Sequence, residues 1–162
     1  MHGSSRLPEL GPRGEGWVVA QFALLLAIAL SALVGLGWSG SLKPVALAAG
    51  LVVMAIGGVL VVLGGVQLGS SLTPFPLPRR GGELSAAGLY ARARHPMYGG
   101  GILIALGWSI VFASVVGLFL TVLLLAFFEL KARREEAWLV DHYPEYEAYR
   151  RRTPRKLLPW LY

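Results

Sequence analysis

Three long stretches of this chain carry no charged residue: 17–38, 44–66 and 98–128. Crossing ~30 Å of hydrocarbon takes ~20 consecutive, mostly apolar residues. Lipid offers no hydrogen-bond partners, so such a segment must satisfy its backbone internally, as a helix. These stretches therefore predict an all-α integral membrane protein. Composition agrees: 55% of the 162 residues are apolar and 15% charged, more apolar surface than a soluble domain of that size can hide.

The first two stretches each read as one span. Gln21 is the one strongly polar residue of the first, and Trp17 and Trp38 at its ends suit the aromatic interface belts. Pro44 suits a first helical turn, and Gly57, Gly58, Gly64 and Gly65 let another helix approach the second span closely. The third stretch is too long for one ordinary span, reaching about 45 Å as a single helix. Charge decides how it folds. Arg92, Arg94 and His95 precede it, and Lys131, Arg133 and Arg134 follow it. A hairpin turning near 113–117 brings both clusters to one side, as the positive-inside rule prefers. That gives four transmembrane helices, the last two as a hairpin, with both termini cytoplasmic and Lys43 alone on the far side among the lysines and arginines. A helical extension of the fourth span then enters the cytoplasm.

Three units follow: a polar lead-in over 1–16, two transmembrane helices over 17–66, and a core over 67–162 of loop, hairpin and tail. The lead-in lacks the short apolar core and cleavage site of a signal peptide. The net charge of +6 flanks apolar segments, so its partner is membrane lipid and not nucleic acid. There is no cysteine, which removes disulfides, thiolate metal sites and cysteine nucleophiles. His2, His95 and His142 lack the spacing of a metal-binding pair, and no metal site is expected.

The polar residues with chemical potential sit beside the hairpin. Pro96 biases His95 toward extended backbone and suits a first helical turn. His95 should therefore mark a helix entrance, where free N–H groups and the helix dipole favour a carboxylate. The hairpin brings that entrance, with Tyr98, beside Glu135 and Glu136 on the extension of span four. A helix N-terminus, an aromatic ring, an imidazole and two carboxylates can together hold a zwitterion. Gly99, Gly100 and Gly101 serve either close helix packing or close approach to a ligand. The tail interleaves Tyr143, Tyr146, Tyr149, Trp160 and Tyr162 with Arg150, Arg151, Arg152, Arg155 and Lys156, a pattern suited to lying on the interface.

The stretch 88–100, GLYARARHPMYGG, resembles the signature of the isoprenylcysteine carboxyl methyltransferase and phospholipid methyltransferase superfamily, roughly G-x-Y-x-x-x-R-H-P-x-Y-x-G. Gly88, Tyr90, Arg94, His95, Pro96, Tyr98 and Gly100 all match. The glutamate pair Glu135 and Glu136, the run PEYEAY at 144–149 and RTPR at 152–155 follow in the family's order, and 74–82 resembles its lead-in. The likeness covers about residues 68–160; the first two spans match only in hydrophobicity.

The resemblance implies an S-adenosylmethionine-dependent methyltransferase of the EC 2.1.1 class, with S-adenosylhomocysteine as product. It implies cofactor binding by Tyr90, Arg94, His95, Pro96, Tyr98, Gly100 and Glu136, with Glu136 on the cofactor's polar end. Arg94 and Glu135 orient these groups, and His95 or Glu135 serves as base where the acceptor carries a proton. The expected acceptor is a lipophilic small molecule methylated in an isoprenylcysteine carboxyl methyltransferase-like reaction. Phospholipid N-methylation and a non-catalytic scaffold with a degenerate site are the alternatives. A transporter is disfavoured because no Asp, Lys or Arg falls within the first three spans.

Overall fold

The computed structural model describes Pro8, residues 10–79 and residues 81–159. Every regular element among these residues is helical. Helix α1 (Glu15–Leu30) ends in a 3₁₀ turn, Ser31–Val34. Helix α2 (Leu42–Leu68) runs into a second 3₁₀ turn, Gly69–Ser71. After a long irregular loop come α3 (Pro96–Val111), α4 (Val115–His142) and the short α5 (Tyr146–Arg152).

Three segments are long and apolar enough to cross a membrane: Glu15–Val34, Leu42–Ser71 and Val115–His142. Helix α3 is apolar but shorter, at 16 residues, or about 24 Å at 1.5 Å per residue. Leu26, Val52, Val59, Phe119 and Val122 point outward and are exposed, as expected of side chains that face lipid tails.

The uncharged stretch 98–128 breaks into a hairpin, as its flanking charge predicts. Ala113 takes a left-handed conformation, φ 49°, and Ser114 caps α4 by accepting from Gly117 N at 3.0 Å. Ser114 Oγ also donates to Ser31 O at 2.9 Å, tying the hairpin turn to the end of α1. Trp38 Nε1 donates to Ile110 O at 2.5 Å. Trp17, at the start of α1, is buried. It packs on Phe127 with ring centroids 5.6 Å apart and donates to Pro8 O at 3.2 Å.

The closest helix pair is α2 against α3, running antiparallel. A Cβ at Gly57 would lie 2.5 Å from Gly100 O, and one at Gly107 would lie 2.5 Å from Gly50 O. Backbones meet here because neither partner has a side chain, which is how lipid-embedded helices gain dispersion contact without a hydrophobic driving force. Gly58 meets nothing within 4 Å and Gly65 only ordinary contacts, so of the expected glycines, Gly57 and Gly64 carry the packing. Ile28, Ala105, Leu124 and Phe128 join α1, α3 and α4 in the apolar core.

Candidate active site

The motif at 88–100 reads along the chain as a series of fixtures. Gly88 adopts φ +59°, a conformation costly for other residues, and lets Leu89 N reach Gln67 Oε1 at 2.8 Å. Tyr90 is buried, with its hydroxyl toward Gly64 O and its carbonyl accepting from Tyr149 Oη at 2.6 Å. His95 stands at the N-cap of α3 and Pro96 at its first turn, as the sequence predicts.

The backbone leading into α3 pairs with the tail. His95 N donates to Lys156 O at 2.7 Å and Arg94 N to Arg155 O at 3.1 Å. The tail's carbonyls take these two donors, which precede the first turn of α3. Arg94 reinforces the contact: its Nη1 donates to Thr153 O at 2.6 Å and Pro154 O at 2.8 Å. The tail therefore folds back over the hairpin and does not spread its aromatics on the interface. Tyr146, Tyr149 and Leu157 are buried, and Lys156 Nζ donates to Glu129 Oε1 at 2.6 Å. Trp160 and Tyr162 lie outside the described residues.

Arg94, His95 and the two glutamates do converge. Glu136 Oε1 lies 2.7 Å from Arg94 Nε and 3.2 Å from His95 Nε2, and its side chain is 8% exposed. Glu135 Oε2 accepts from Tyr98 Oη at 2.7 Å and lies 3.6 Å from His95 Nδ1. One carboxylate thus flanks each imidazole nitrogen, Glu136 at hydrogen-bond distance and Glu135 farther away. Tyr98 runs nearly parallel to both His95 and Phe128, at centroid distances of 5.3 and 4.7 Å.

These groups border a cavity of about 570 Å³, within the range of small-molecule sites. Tyr90, Arg94, His95, Tyr98 and Glu135 line its polar end, while Leu25, Val61, Gly101, Ile104 and Phe128 line an apolar part between the helices. Pro74, Phe75 and Pro76 of the irregular loop form another wall. Three of the residues expected at the cofactor are not on the cavity wall. Gly100 faces α2, where a Cβ would lie 2.6 Å from Gly57 O, and Gly101 takes the cavity side. Glu136 Oε1 meets Arg94 and His95, and Glu135 is the glutamate on the cavity wall. Pro96 is fully buried and acts through the helix start.

Burial pushes the Tyr90, Tyr146 and Tyr149 phenols above their ordinary values, so all three are donors at neutral pH. Tyr146 lines the cavity, and its buried hydroxyl has no hydrogen-bond partner among the described residues. An unmet buried donor beside a carboxylate fits a polar ligand end. The sequence reading overlooked Tyr146 as a site residue, and also Lys131, which is 1% exposed and lines the same cavity. Lys131 precedes Glu135 by one helical turn, and that spacing was the available signal. No cluster of metal-binding side chains occurs among the described residues.

The sequence model of the phospholipid methyltransferase family matches residues 45–146. Over 93 residues the chain is 34% identical to a protein-S-isoprenylcysteine O-methyltransferase of Schizosaccharomyces pombe, a match covering 55% of this chain and 39% of that relative. The chain thus spans well under half the length of the curated relative it matches.

Proposed function

This chain belongs to the phospholipid methyltransferase family, and on that footing we infer that it is an integral membrane methyltransferase using S-adenosylmethionine to methylate a lipid-like acceptor. The observation that carries the reading is a single cavity with a carboxylate and hydroxyls at one end and bare helix side chains at the other. That division suits a zwitterionic cofactor meeting an apolar acceptor.

The residues present fit the cofactor. Glu135 is the carboxylate for its ammonium, and the Tyr146 hydroxyl is an unused donor beside it. His95, held by Glu135 and Glu136, Tyr98 and Tyr90 complete the polar end, and Arg94 positions them by fastening the tail. When bound there, S-adenosylmethionine would supply a sulfonium methyl to the acceptor's lone pair, the carbon–sulfur electron pair returning to sulfur. Loss of the sulfonium charge is favoured where water is excluded, and holding both reactants in one cavity replaces an encounter in solution. The tail, through Tyr146 and Tyr149, and the loop at 74–76 wall the cavity against that water. His95 or Glu135 accepts a proton if the acceptor carries one.

In this reading α3 completes a set of four spans, with both termini and the polar end of the cavity cytoplasmic. A soluble cofactor arrives from the cytoplasm and an apolar acceptor from the bilayer, between the helices. Calorimetry of S-adenosylhomocysteine into purified protein tests the reading. Saturable binding, weakened by Glu135→Gln, is the expected result; no binding by folded protein would leave only a scaffold role.

A further inference from the structure

The two walls that close the cavity are fastened unequally. The tail is tied down by hydrogen bonds from Arg94 Nη1 to two carbonyls, from His95 N to Lys156 O and from Tyr149 Oη to Tyr90 O. The loop at 72–78 has no such seam. Pro74, Pro76 and Pro78 carry no N–H to donate. Among the described residues, one hydrogen bond reaches 72–78 from outside the segment 69–83, from Lys131 Nζ to Pro74 O at 3.1 Å. Yet Thr73, Pro74, Phe75, Pro76 and Pro78 all line the cavity, and Pro76 is fully buried.

The segment before α1 covers this loop. Gly14 takes φ +78°, and a Cβ there would lie 3.0 Å from Pro76 Cδ and 3.3 Å from Trp138 Cζ3. Its backbone therefore rests on the loop where a side chain would not fit. One residue earlier, the Arg13 guanidinium stands over the Phe75 ring, with Cζ 4.4 Å from the centroid, a cation–π contact. Glu15 orients it, accepting from Arg13 N at 3.0 Å and from Arg13 Nε at 3.1 Å. Gly16 N donates to Leu10 O at 2.8 Å and Trp17 Nε1 to Pro8 O at 3.2 Å, which fastens the segment to the start of α1. Arg13, Gly14 and Glu15 precede the residues 45–146 matched by the family model, so the family likeness assigns them no role.

Resting on the methyltransferase reading above, we propose that the segment before α1 is a latch on the cofactor's way in and out: Arg13, acting through Phe75, and Gly14, acting through Pro76, hold the loop at 72–78 shut over the cavity. Both are positioning residues. The loop swings out to admit S-adenosylmethionine and release S-adenosylhomocysteine, while the tail stays in place. Opening the tail would strip the partners from the donors of Arg94 and His95; opening the loop breaks one hydrogen bond and the contacts of the latch. The Arg13 side chain is 58% exposed, and a weak latch suits a wall that must open in every turnover.

The chain has no cysteine of its own, so Thr73→Cys places a single thiol on the cavity side of the loop. Its rate of maleimide labelling, in ligand-free protein in micelles, reads the opening. Release of radiolabelled S-adenosylhomocysteine, chased with unlabelled ligand, reads the exit. Arg13→Ala should speed both by roughly two- to fivefold, the worth of one exposed cation–π contact, and Arg13→Lys should restore most of the original rates. Gly14→Ala should also speed both, by displacing the turn while the guanidinium remains. In a Phe75→Leu background Arg13→Ala should add nothing, because the ring it acts through is gone. Unchanged labelling in both Arg13→Ala and Gly14→Ala would overturn the latch. Faster labelling with unchanged release would overturn the loop as the cofactor's route. An Arg13→Ala effect that persists undiminished beside Phe75→Leu would overturn the action through that ring. Failure of the protein with its own Arg13 and Gly14 to bind S-adenosylhomocysteine is separate: it strikes the methyltransferase reading, and the labelling rates still decide the latch.

Discussion

Arg94 Nε and Glu136 Oε1 lie 2.7 Å apart, with side chains 7% and 8% exposed. The two residues are 42 positions apart in the chain, and the pair joins the start of α3 to the extension of α4. Because Arg94 also holds the carbonyls of Thr153 and Pro154, one guanidinium links loop, hairpin and tail.

Breaking that pair should unfold the site. Glu136→Gln or Arg94→Met leaves one buried charge unmatched, a loss of about 3–5 kcal/mol. Glu135 is 24% exposed at its side chain, so Glu135→Gln should cost little stability. It should instead weaken S-adenosylhomocysteine binding by about 1.5–3 kcal/mol, one charge-assisted hydrogen bond. Thermal unfolding and calorimetry on the same samples separate the two effects. A stable Glu136→Gln protein with selectively weakened binding would return the ammonium contact to Glu136.

The glycine positions on α2 should divide by the face they occupy. Gly57→Ala drives a methyl into Gly100 O and Ile104 N, and should cost about 1–3 kcal/mol by overpacking. Gly58→Ala meets open space and should be neutral or gain up to about 1 kcal/mol from helix propensity. Denaturant unfolding in micelles compares them, and equal losses would contradict the α2–α3 contact.

Gly101→Leu should obstruct the acceptor before the cofactor. A Cβ there would lie 3.3 Å from Phe128 Cε2, so a larger side chain enters the apolar part of the cavity, away from Glu135. Methyl transfer to a lipophilic acceptor should fall roughly tenfold or more, the effect of about 1–3 kcal/mol of crowding, with cofactor affinity unchanged. Radiolabel transfer and calorimetry supply the paired measurement. Equal loss of both, or of neither, would remove support for separate approaches to the cavity.

Topology has its own test. Reporters fused after Gly40 and after Tyr162 should fall on opposite sides of the membrane if α3 and α4 form a complete hairpin of spans. Four spans would leave Lys43 alone outside among the lysines and arginines, and that charge asymmetry motivates the expectation. Reporters on one side would require a count other than four.

The helices, the hairpin and the position of the site along the chain were legible in the sequence. Uncharged length compels helix in lipid. Charge clusters at 92–95 and 131–134 bend the third stretch back on itself, and Pro96 marks where α3 starts. Rotation about each helix axis was not legible. A soluble helix announces its buried face by an apolar stripe, but a helix that is apolar all round carries no such signal. Packing alone turned Gly100 toward Gly57 and Gly101 toward the cavity. It likewise gave Glu136 to Arg94 and left Glu135 on the wall. The tail shows the same gap: alternating tyrosines and arginines read as an interfacial segment until Arg94 and His95 supplied donors for its carbonyls. The contact between Gln21 and Lys131 joins residues 110 positions apart. Nothing local predicts it, because only the assembled helices bring a lone glutamine and a buried lysine together.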